Sequence, residues 1–312
     1  MNPRPTDLQP PSFPSRPSSP APPGPRRRGR RLVSWLLALA VGVASLLVAL
    51  VLGALVWIVV GRGASAVSWD FLTTGIEQAG AAGGILYPLL GTLLLVLVAA
   101  LVATPWALGS ALYIGHIARG TRRAGTLRQL LLVLNGIPAI VFGIVGMMLF
   151  VFWFGWGKSW LAGGLLLGVM ILPTVTTALL ARIEAVPSAS IEAAVGLGLN
   201  REQIMRAVIL PQSLSGLWSG LILGLARAAG ETAPIMFTAV VFDGAKLPRA
   251  IVESPVLALP YHIFVLAQDS FAEGADQRLW ATALVLLSLV MSLSLAALPF
   301  RGHSHEHASR SH

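Results

Sequence analysis

Two side chains of opposite charge, Arg227 and Glu231, lie four residues apart in an otherwise apolar stretch of the chain. A charge inside a bilayer costs at least ~2.5 kcal/mol, so such residues are usually paired and usually line a polar path. The planar guanidinium of arginine donates two parallel hydrogen bonds to an oxyanion. We therefore predict that this pair lines a path for an anion. The functional role includes contact with a second subunit across the path. The alternative is mutual neutralisation of the two charges one helical turn apart.

The residues around this pair predict a local opening of the helix. Pro234 has no N–H group to donate and leaves carbonyl groups of the preceding turn without a partner. Gly230 loosens the same stretch, and Thr232 adds a hydroxyl group, so Thr232 joins Arg227 and Glu231 as a substrate-path candidate. Other polar residues of the apolar stretches can face the same path or hold helices together. They are Asn135, Thr174, Thr176 and Thr177.

The composition of the chain indicates that the segments carrying these residues lie in a membrane. Hydrophobic residues make up 55% of the 312 residues and charged residues 11%, a balance typical of integral membrane proteins. About 20 apolar residues cross the hydrocarbon core, and six stretches are long enough. We predict an all-α integral membrane protein with six transmembrane helices. The stretches are approximately 32–60, 85–108, 130–154, 160–180, 214–242 and 279–300.

Basic residues predict the orientation of these spans. Sixteen of the 22 Lys and Arg residues lie on the side of the N-terminus, which the positive-inside rule assigns to the cytoplasm. This topology accounts for the net charge of +9, so no nucleic-acid partner is expected. We predict a multi-pass protein of the cell (cytoplasmic) membrane with both termini cytoplasmic. Its segments are a disordered Pro/Arg-rich tail at 1–31, a six-helix transmembrane domain at 32–300 with a core at about 85–300, and a His-rich tail at 301–312.

The loop between the fourth and fifth predicted spans, residues 181–213, has its own local signals. Ser188 or Ser190 is expected to cap a short helix at its N-terminus. Gly198 is expected to end that helix in the left-handed conformation. Asn200 is expected to start a second short helix with Gln203 as its capping-box partner. We predict two short cytoplasmic helices before the next span.

The same loop resembles the EAA loop with which permease subunits of bacterial ABC importers bind their ATPase. The resemblance rests on a Glu-Ala-Ala run, a glycine four residues after the second alanine, and a hydrophobic-x-Leu-Pro close. Val208 stands where isoleucine is usual. The alternative is an ordinary loop helix with a solvated acidic residue. The resemblance implies that the ATPase-coupling residues are Glu192, Ala193, Ala194, Gly198, Leu210 and Pro211.

Three further segments resemble phosphate-specific permeases of the PstA type. They are the Gly-Glu-Thr-Ala-Pro run at 230–239, the Pro-Tyr-His-Ile run at 260–263 and the third-span segment 135–143. Asn135 is less usual at its position in that third segment. The resemblance covers roughly residues 87–301 and leaves out both tails. It implies the type I ABC importer (MetI-like) permease fold.

The resemblance also implies the partners. This chain and a homologous permease would form, as a heterodimer in the lipid bilayer, the pore for uptake of inorganic phosphate. Two ABC ATPase subunits would bind the 181–213 loops, and an extracytoplasmic phosphate-binding protein would deliver the cargo. No cofactor is expected on this chain, because ATP and Mg are bound by the partner ATPase. The alternatives are a permease for another solute (molybdate, sulfate or an organic compound) or a membrane scaffold or sensor in phosphate signalling.

An enzyme is not expected. The run Gly157-Lys158-Ser159 ends like a phosphate-binding P-loop, but Phe152 stands where that motif needs its first glycine. Neither Gly-x-Ser-x-Gly nor His-Glu-x-x-His occurs in the chain. The alternating histidines at 303–307 are expected to be a solvated flexible tail, with weak binding of a transition metal as the alternative, so no metal site is predicted.

Overall fold

The computed structural model describes residues 26–77, 82–241, 248, 250–268 and 274–302. The prediction of a His-rich tail and most of the prediction of a disordered N-terminal tail fall outside these residues. The chain divides into two units, Met1–Val56 and Trp57–His312. The described part of the first unit is helical, since helix α1 covers Arg26–Gly63 and begins within the segment for which we predict a disordered tail.

The second unit is built almost entirely of helices. Two antiparallel strands of two residues each, β1 (Ile76–Glu77) and β2 (Ala82–Gly83), are the exception. The helices after α1 are α2 (Trp69–Thr73), α3 (Leu86–Leu112), α4 (Arg122–Gly136), α5 (Ala139–Gly146), α6 (Trp160–Glu184), α7 (Ser188–Gly196), α8 (Arg201–Ile204), α9 (Leu210–Gly230), α10 (Ala233–Thr238), α11 (Leu259–Gln268), α12 (Ala275–Ala296) and α13 (Leu298–Gly302). Wider π-helical turns follow α3, α5 and α8, at Tyr113–Ile117, Met147–Trp153 and Met205–Ile209.

Five helical segments of the described residues are long and apolar enough to cross a membrane, and a sixth span exists if one bent pair counts as a span. The all-α class with up to six spans is therefore confirmed. The third span differs from the prediction of one helix at 130–154, because α4 and α5 meet at an angle of 96°. Pro138 explains the break. A residue before proline is pushed away from the helical conformation, and Ile137 is extended, with φ −71° and ψ 129°.

Helix α6 forms the centre of the core, between α3 and α9. Its residues Leu167, Ile171, Val175 and Leu179 are at most 1% exposed. Glycines on its contact surfaces let the backbones approach. A Cβ atom on Gly164 would lie 2.5 Å from the Cβ of Val98 in α3. A Cβ atom on Gly220 in α9 would lie 2.7 Å from the Cβ of Ala178 in α6. Helix α9, which carries Arg227, is therefore packed directly against α6.

Candidate functional site

Helix α9 ends within the apolar region, as the sequence predicts. Its last residue is Gly230, and Glu231 is extended, with φ −77° and ψ 130°. A short helix, α10, starts at Ala233 and carries Pro234 in its first turn. The prediction of a locally opened fifth span is therefore confirmed.

The two charged residues of this span pair with each other. Arg227 Nε donates to Glu231 Oε1 at 3.2 Å. The side chain of Arg227 is 38% exposed and that of Glu231 is 19% exposed. The guanidinium therefore lies at an open surface, with the carboxylate beneath its Nε edge. The i,i+4 pairing that we gave as an alternative is present, and it uses one N–H group of the guanidinium.

A third polar residue completes the cluster. Arg227 Nη1 donates to Asn135 Oδ1 at 3.3 Å. Asn135 is the second-to-last residue of α4, next to the break at Ile137. Arginine has five N–H donors. Among the described residues the bonds to Glu231 and Asn135 use two of them, so three remain for an oxyanion.

The two helix breaks are held together by close packing of α5 on α10. A Cβ atom on Gly143 would lie 2.9 Å from the carbonyl oxygen of Ala233 and 3.2 Å from Cα of Pro234. Thr232 is half-buried at the second break, where its carbonyl accepts from the N–H of Met236 at 3.0 Å. The broken third span and the broken fifth span are thus in contact at two places, the Arg227–Asn135 bond and the packing of α5 on α10.

The threonines of α6 satisfy their own helix. Thr176 Oγ1 donates to the carbonyl of Leu172 at 2.8 Å, and Thr177 Oγ1 donates to that of Pro173 at 2.8 Å. Thr177 Oγ1 also lies 3.1 Å from the carbonyl oxygen of Thr174. These bonds go to carbonyl groups of the preceding turn of the same helix. In the structure these hydroxyl groups therefore serve the local helix.

Lys158 has a structural contact that the sequence did not predict. Its Nζ donates to the carbonyl oxygens of Met236 at 3.0 Å and Val240 at 3.4 Å. These carbonyls lie at and beyond the C-terminal end of α10, where a cation is favoured by the helix dipole. The lysine of the P-loop-like run therefore stabilises the helix after the second break.

In the 181–213 loop, the first helix starts differently from the prediction. Helix α7 begins at Ser188 with Pro187 at the N-cap, and no side chain caps it. Neither Ser188 nor Ser190 is the cap, because Pro187 already supplies a fixed φ and an extended conformation before the first turn. The N–H of Ser190 instead bonds the carbonyl of Pro187 at 3.1 Å.

The end of α7 follows the prediction. Gly198 is left-handed, with φ 79°. The N–H of Leu199 bonds the carbonyl of Ala194 at 3.1 Å, and that of Gly198 bonds the carbonyl of Val195 at 2.9 Å. These are the two hydrogen bonds of a Schellman motif. Glu192 and Ala193 are exposed and Ala194 is buried, so α7 presents the carboxylate outwards.

The second helix of the loop is confirmed at its start and corrected at its end. Asn200 Oδ1 accepts from Gln203 N at 2.9 Å, and Gln203 Oε1 accepts from Asn200 N at 2.8 Å. The helix does not stop before the span as predicted, since helical residues continue from Arg201 to Gly230. Pro211 lies in the first turn of α9, next to the half-buried Leu210. The π-helical turn Met205–Ile209 precedes that proline and lets the helix continue.

One ion pair near this loop is absent from the predictions. Arg128 of α4 pairs with Glu184, the last residue of α6. The sequence shows both charges on predicted cytoplasmic segments, but no local signal pairs residues so far apart. The described residues contain no group of three or more His, Cys, Asp or Glu side chains placed to hold a metal ion.

Comparisons with known proteins agree with this architecture. Residues 103–298 match the family described as "Binding-protein-dependent transport system inner membrane component". The chain is 31% identical over 253 residues to the phosphate transport system permease protein PstA 2 of Mycobacterium tuberculosis, covering 80% of this chain and 83% of that protein. It is also 31% identical over 219 residues to the PstA protein of Yersinia pestis, covering 70% of this chain and 72% of that protein.

A solved structure supports the fold. The methionine ABC transporter MetNI, in an inward-facing conformation, contains a chain that matches with a TM-score of 0.54 at 18% identity, covering 70% of this chain and 94% of that one. The MetI-like permease fold is therefore confirmed. Because both the family match and the PstA relatives cover most of the chain, this protein belongs to the family of inner-membrane components of binding-protein-dependent transport systems, the permease subunits of ABC importers.

Proposed function

We propose that this chain is the permease subunit of an ATP-driven importer of inorganic phosphate, and that Arg227 contacts the anion in the pore. The observation that carries the proposal is the partly exposed guanidinium of Arg227 at the meeting point of two broken spans, with three N–H groups left by its protein partners. Relatives named as phosphate transport system permeases support the choice of cargo.

In this proposal the Arg227 cluster binds the anion weakly enough for the anion to be released. Three N–H donors of Arg227 attract a phosphate oxyanion in a region of low dielectric constant. Glu231 acts in one of two ways: it keeps the guanidinium in position, or its negative charge weakens the anion's binding enough for release. A pore has to release its cargo as readily as it takes it up. Thr232 is the third proposed substrate-path residue, as its hydroxyl group lies at the same break.

The 181–213 loop is the proposed contact with the ATPase. Helix α7 offers the exposed carboxylate of Glu192 beside Ala193, and the exposed apolar side chains of Val195 and Leu197, 60% and 82% exposed, lie at its end. Exposed apolar side chains next to a charge are suited to a protein partner. Ala194, Gly198, Leu210 and Pro211 would shape the loop for that partner.

The assembly in this proposal has further partners and an orientation. The chain pairs with a homologous permease, two ATPase subunits bind the cytoplasmic loops, and an extracytoplasmic binding protein delivers phosphate. Both termini and the 181–213 loop face the cytoplasm, since most basic residues lie on that side. Residues 32–300 form the permease domain, with the tails 1–31 and 301–312 outside it.

Uptake of labelled phosphate tests the proposal. Cells lacking their own high-affinity phosphate system would receive this chain with its partner subunits, either wild type or Arg227→Ala, and sulfate and molybdate would be supplied in parallel. We expect ATP-dependent phosphate uptake by the wild type and loss of uptake in an intact Arg227→Ala complex. Uptake of another anion instead, or an assembled complex without transport, would favour the alternative cargo or the signalling role.

The role of Glu231 is tested by Glu231→Gln, which keeps an acceptor for Arg227 Nε and removes the negative charge. If the charge weakens anion binding, KM for phosphate falls and the maximal rate falls with it. If Glu231 only positions Arg227, the substitution leaves both values close to wild type, whereas Glu231→Ala lowers uptake.

A further inference from the structure

One face of helix α4 carries the two long-range polar contacts that this helix makes with other described residues. Ala124, Arg128, Leu131 and Asn135 follow each other at spacings of four, three and four residues, which is one stripe along an α-helix. Ala124 is 6% exposed and Leu131 is 4% exposed, so this stripe faces the rest of the protein. Arg128 and Asn135 lie on this same side of the helix and are themselves exposed, so each reaches its partner at the edge of the contact.

The cytoplasmic end of the stripe contacts the root of the 181–213 loop. Arg128 pairs with Glu184, and α7 begins four residues after Glu184, at Ser188. The two side chains are 48% and 41% exposed. An exposed ion pair adds little to stability. What matters here is that this pair joins α4 to the end of α6, next to the 181–213 loop.

The other end of the stripe contacts the Arg227 cluster. Asn135 lies seven residues after Arg128, which is about 10 Å along the axis and roughly 20° around it. Its Oδ1 accepts from Arg227 Nη1 at 3.3 Å. Helix α4 thus connects Glu184 at one end to Arg227 at the other.

The helical backbone is interrupted at both ends of α4. Gly120 is left-handed, with φ 79°, two residues before α4 begins. The break at Ile137 and Pro138 follows its last residue. A helix between two such interruptions can shift as one body, since hinge motions are absorbed by a few residues at the ends of elements.

We propose that α4 transmits movement of the ATPase-coupling loop to Arg227, with Arg128–Glu184 as the cytoplasmic contact and Asn135 as the residue that positions the guanidinium. The inference rests on the proposed function, because it requires the 181–213 loop to bind the ATPase. When the ATPase moves α7, Glu184 shifts Arg128 and α4, and Asn135 changes the position of Arg227 at the pore.

Two single-cysteine labels measure the two ends of this connection. The chain contains no cysteine, so each label is the only one on it. Leu132→Cys reports on α4 itself, since Leu132 is 61% exposed. Gly230→Cys reports on the Arg227 end, because a Cβ atom there has no neighbour within 4 Å. The change in fluorescence on adding a non-hydrolysable ATP analogue would be recorded in the purified complex with its ATPase.

The charge variants give the sharpest expectations. In the single variants Arg128→Glu and Glu184→Arg, the nucleotide-dependent change falls about twofold or more at both labels, because the exposed ion pair is lost and two like charges face each other. Exchanging the two charges in one protein restores both signals. Arg123→Glu is the matched control, because it makes the same charge change on α4, and Arg123 has no ion pair among the described residues. Its signals should equal those of the wild type.

Asn135→Ala distinguishes a loss of movement passed from α4 to Arg227 from a general defect of the complex. It leaves the change at Leu132→Cys intact and reduces only the change at Gly230→Cys, since the hydrogen bond to Arg227 that it removes lies between α4 and the Arg227 end. Equal signals in Arg128→Glu and Arg123→Glu, or no restoration by charge exchange, would overturn the inference. Dissociation of the ATPase from the Arg128→Glu complex would also overturn it, by assigning the ion pair to docking.

The same experiment distinguishes this inference from the proposed function. An assembled complex that shows the label changes but takes up no phosphate contradicts only the cargo. Normal phosphate uptake with unaltered label changes in the Arg128→Glu, Glu184→Arg and Asn135→Ala variants contradicts only the transmission through α4. A wild-type chain that does not hold the ATPase contradicts both.

Discussion

The guanidinium of Arg227 and the amide of Asn135 are 92 residues apart in the chain and joined by a hydrogen bond of 3.3 Å. Each residue lies just before the end of its helix, Asn135 before the break after α4 and Arg227 before the break after α9. Because Glu231 binds the same guanidinium from the other side, one side chain connects two interrupted spans. A ligand that competes for this guanidinium competes with contacts that hold the two spans together.

Arg227→Lys is expected to reduce phosphate uptake about tenfold or more. Lysine keeps the positive charge but lacks the planar fork that reaches Glu231, Asn135 and an anion at once. The expected size follows from a charge-assisted hydrogen bond, worth roughly 1.5–3 kcal/mol. Initial uptake rates in cells with equal amounts of complex provide the measurement.

Arg62→Lys is the control. The guanidinium of Arg62 lies over the ring of Trp280, with Cζ 5.1 Å from the ring centre and away from the site. Equal rates for Arg227→Lys and the wild type would show that charge alone is sufficient.

Local signals in the sequence predicted the features that depend on nearby residues. The break after Gly230, the left-handed Gly198 and the capping box of Asn200 with Gln203 each depend on residues within about four positions of one another. Backbone geometry of this range is set by glycine, proline and side-chain caps. These features could therefore be predicted before the fold was known.

Contacts between segments that are distant in the sequence could not be predicted from such local signals. The hydropathy of the third span predicts one helix at 130–154, and it does not show the break at Pro138 because apolar residues continue on both sides of it. Helix α4 starts at Arg122, eight residues before the predicted start of the third span. The contacts of Asn135 with Arg227 and of Arg128 with Glu184 follow from how the helices pack. Single-sequence patterns do not contain that information.

Gly198→Ala is expected to weaken binding of the ATPase about fivefold or more. Gly198 has φ 79°, a conformation that costs roughly 1–2 kcal/mol for a residue with a Cβ atom. The strain is relieved by breaking the Schellman bonds and moving α7 relative to α8. Affinity of the purified permease for its ATPase is the quantity to measure. Gly198→Asn should weaken binding less than Gly198→Ala, although asparagine is larger, because it tolerates the left-handed region. A greater effect of asparagine would point to space, rather than backbone strain, as the reason for glycine.

Stability is expected to fall with acid because of His262. This residue is 1% exposed in α11, and its pKa is lowered from 6.5 to about 4 by burial and then by the positive charge of Arg278. In the unfolded chain the pKa returns to about 6.5, so between these values the unfolded state binds more protons and stability decreases as pH falls. From pH 7 to pH 5 the decrease is about 2 kcal/mol for this one group.

Thermal unfolding of the complex at pH 5 and pH 7 measures this effect. The variant His262→Gln has no group to protonate and should show a smaller difference between the two pH values than the wild type. An unchanged difference in His262→Gln would assign the acid sensitivity to other groups.

Gly91→Ala is expected to destabilise the protein by about 3 kcal/mol, at the upper end of the range for overpacking. A Cβ atom at Gly91 would lie 1.8 Å from the carbonyl oxygen of Leu257. The neighbour is backbone, and it is held in place because Thr92 Oγ1 accepts from the N–H of Leu259 at 2.8 Å. To relieve this clash, α3 has to separate from the segment that leads into α11.

Gly109→Ala is the matched control on the same helix, since a Cβ atom there has no neighbour within 4 Å. Alanine also favours a helix over glycine by roughly 1 kcal/mol. The midpoint of thermal unfolding should fall for Gly91→Ala and stay level or rise for Gly109→Ala. Equal midpoints for the two variants would mean that the α3 contact with Leu257 has room to yield.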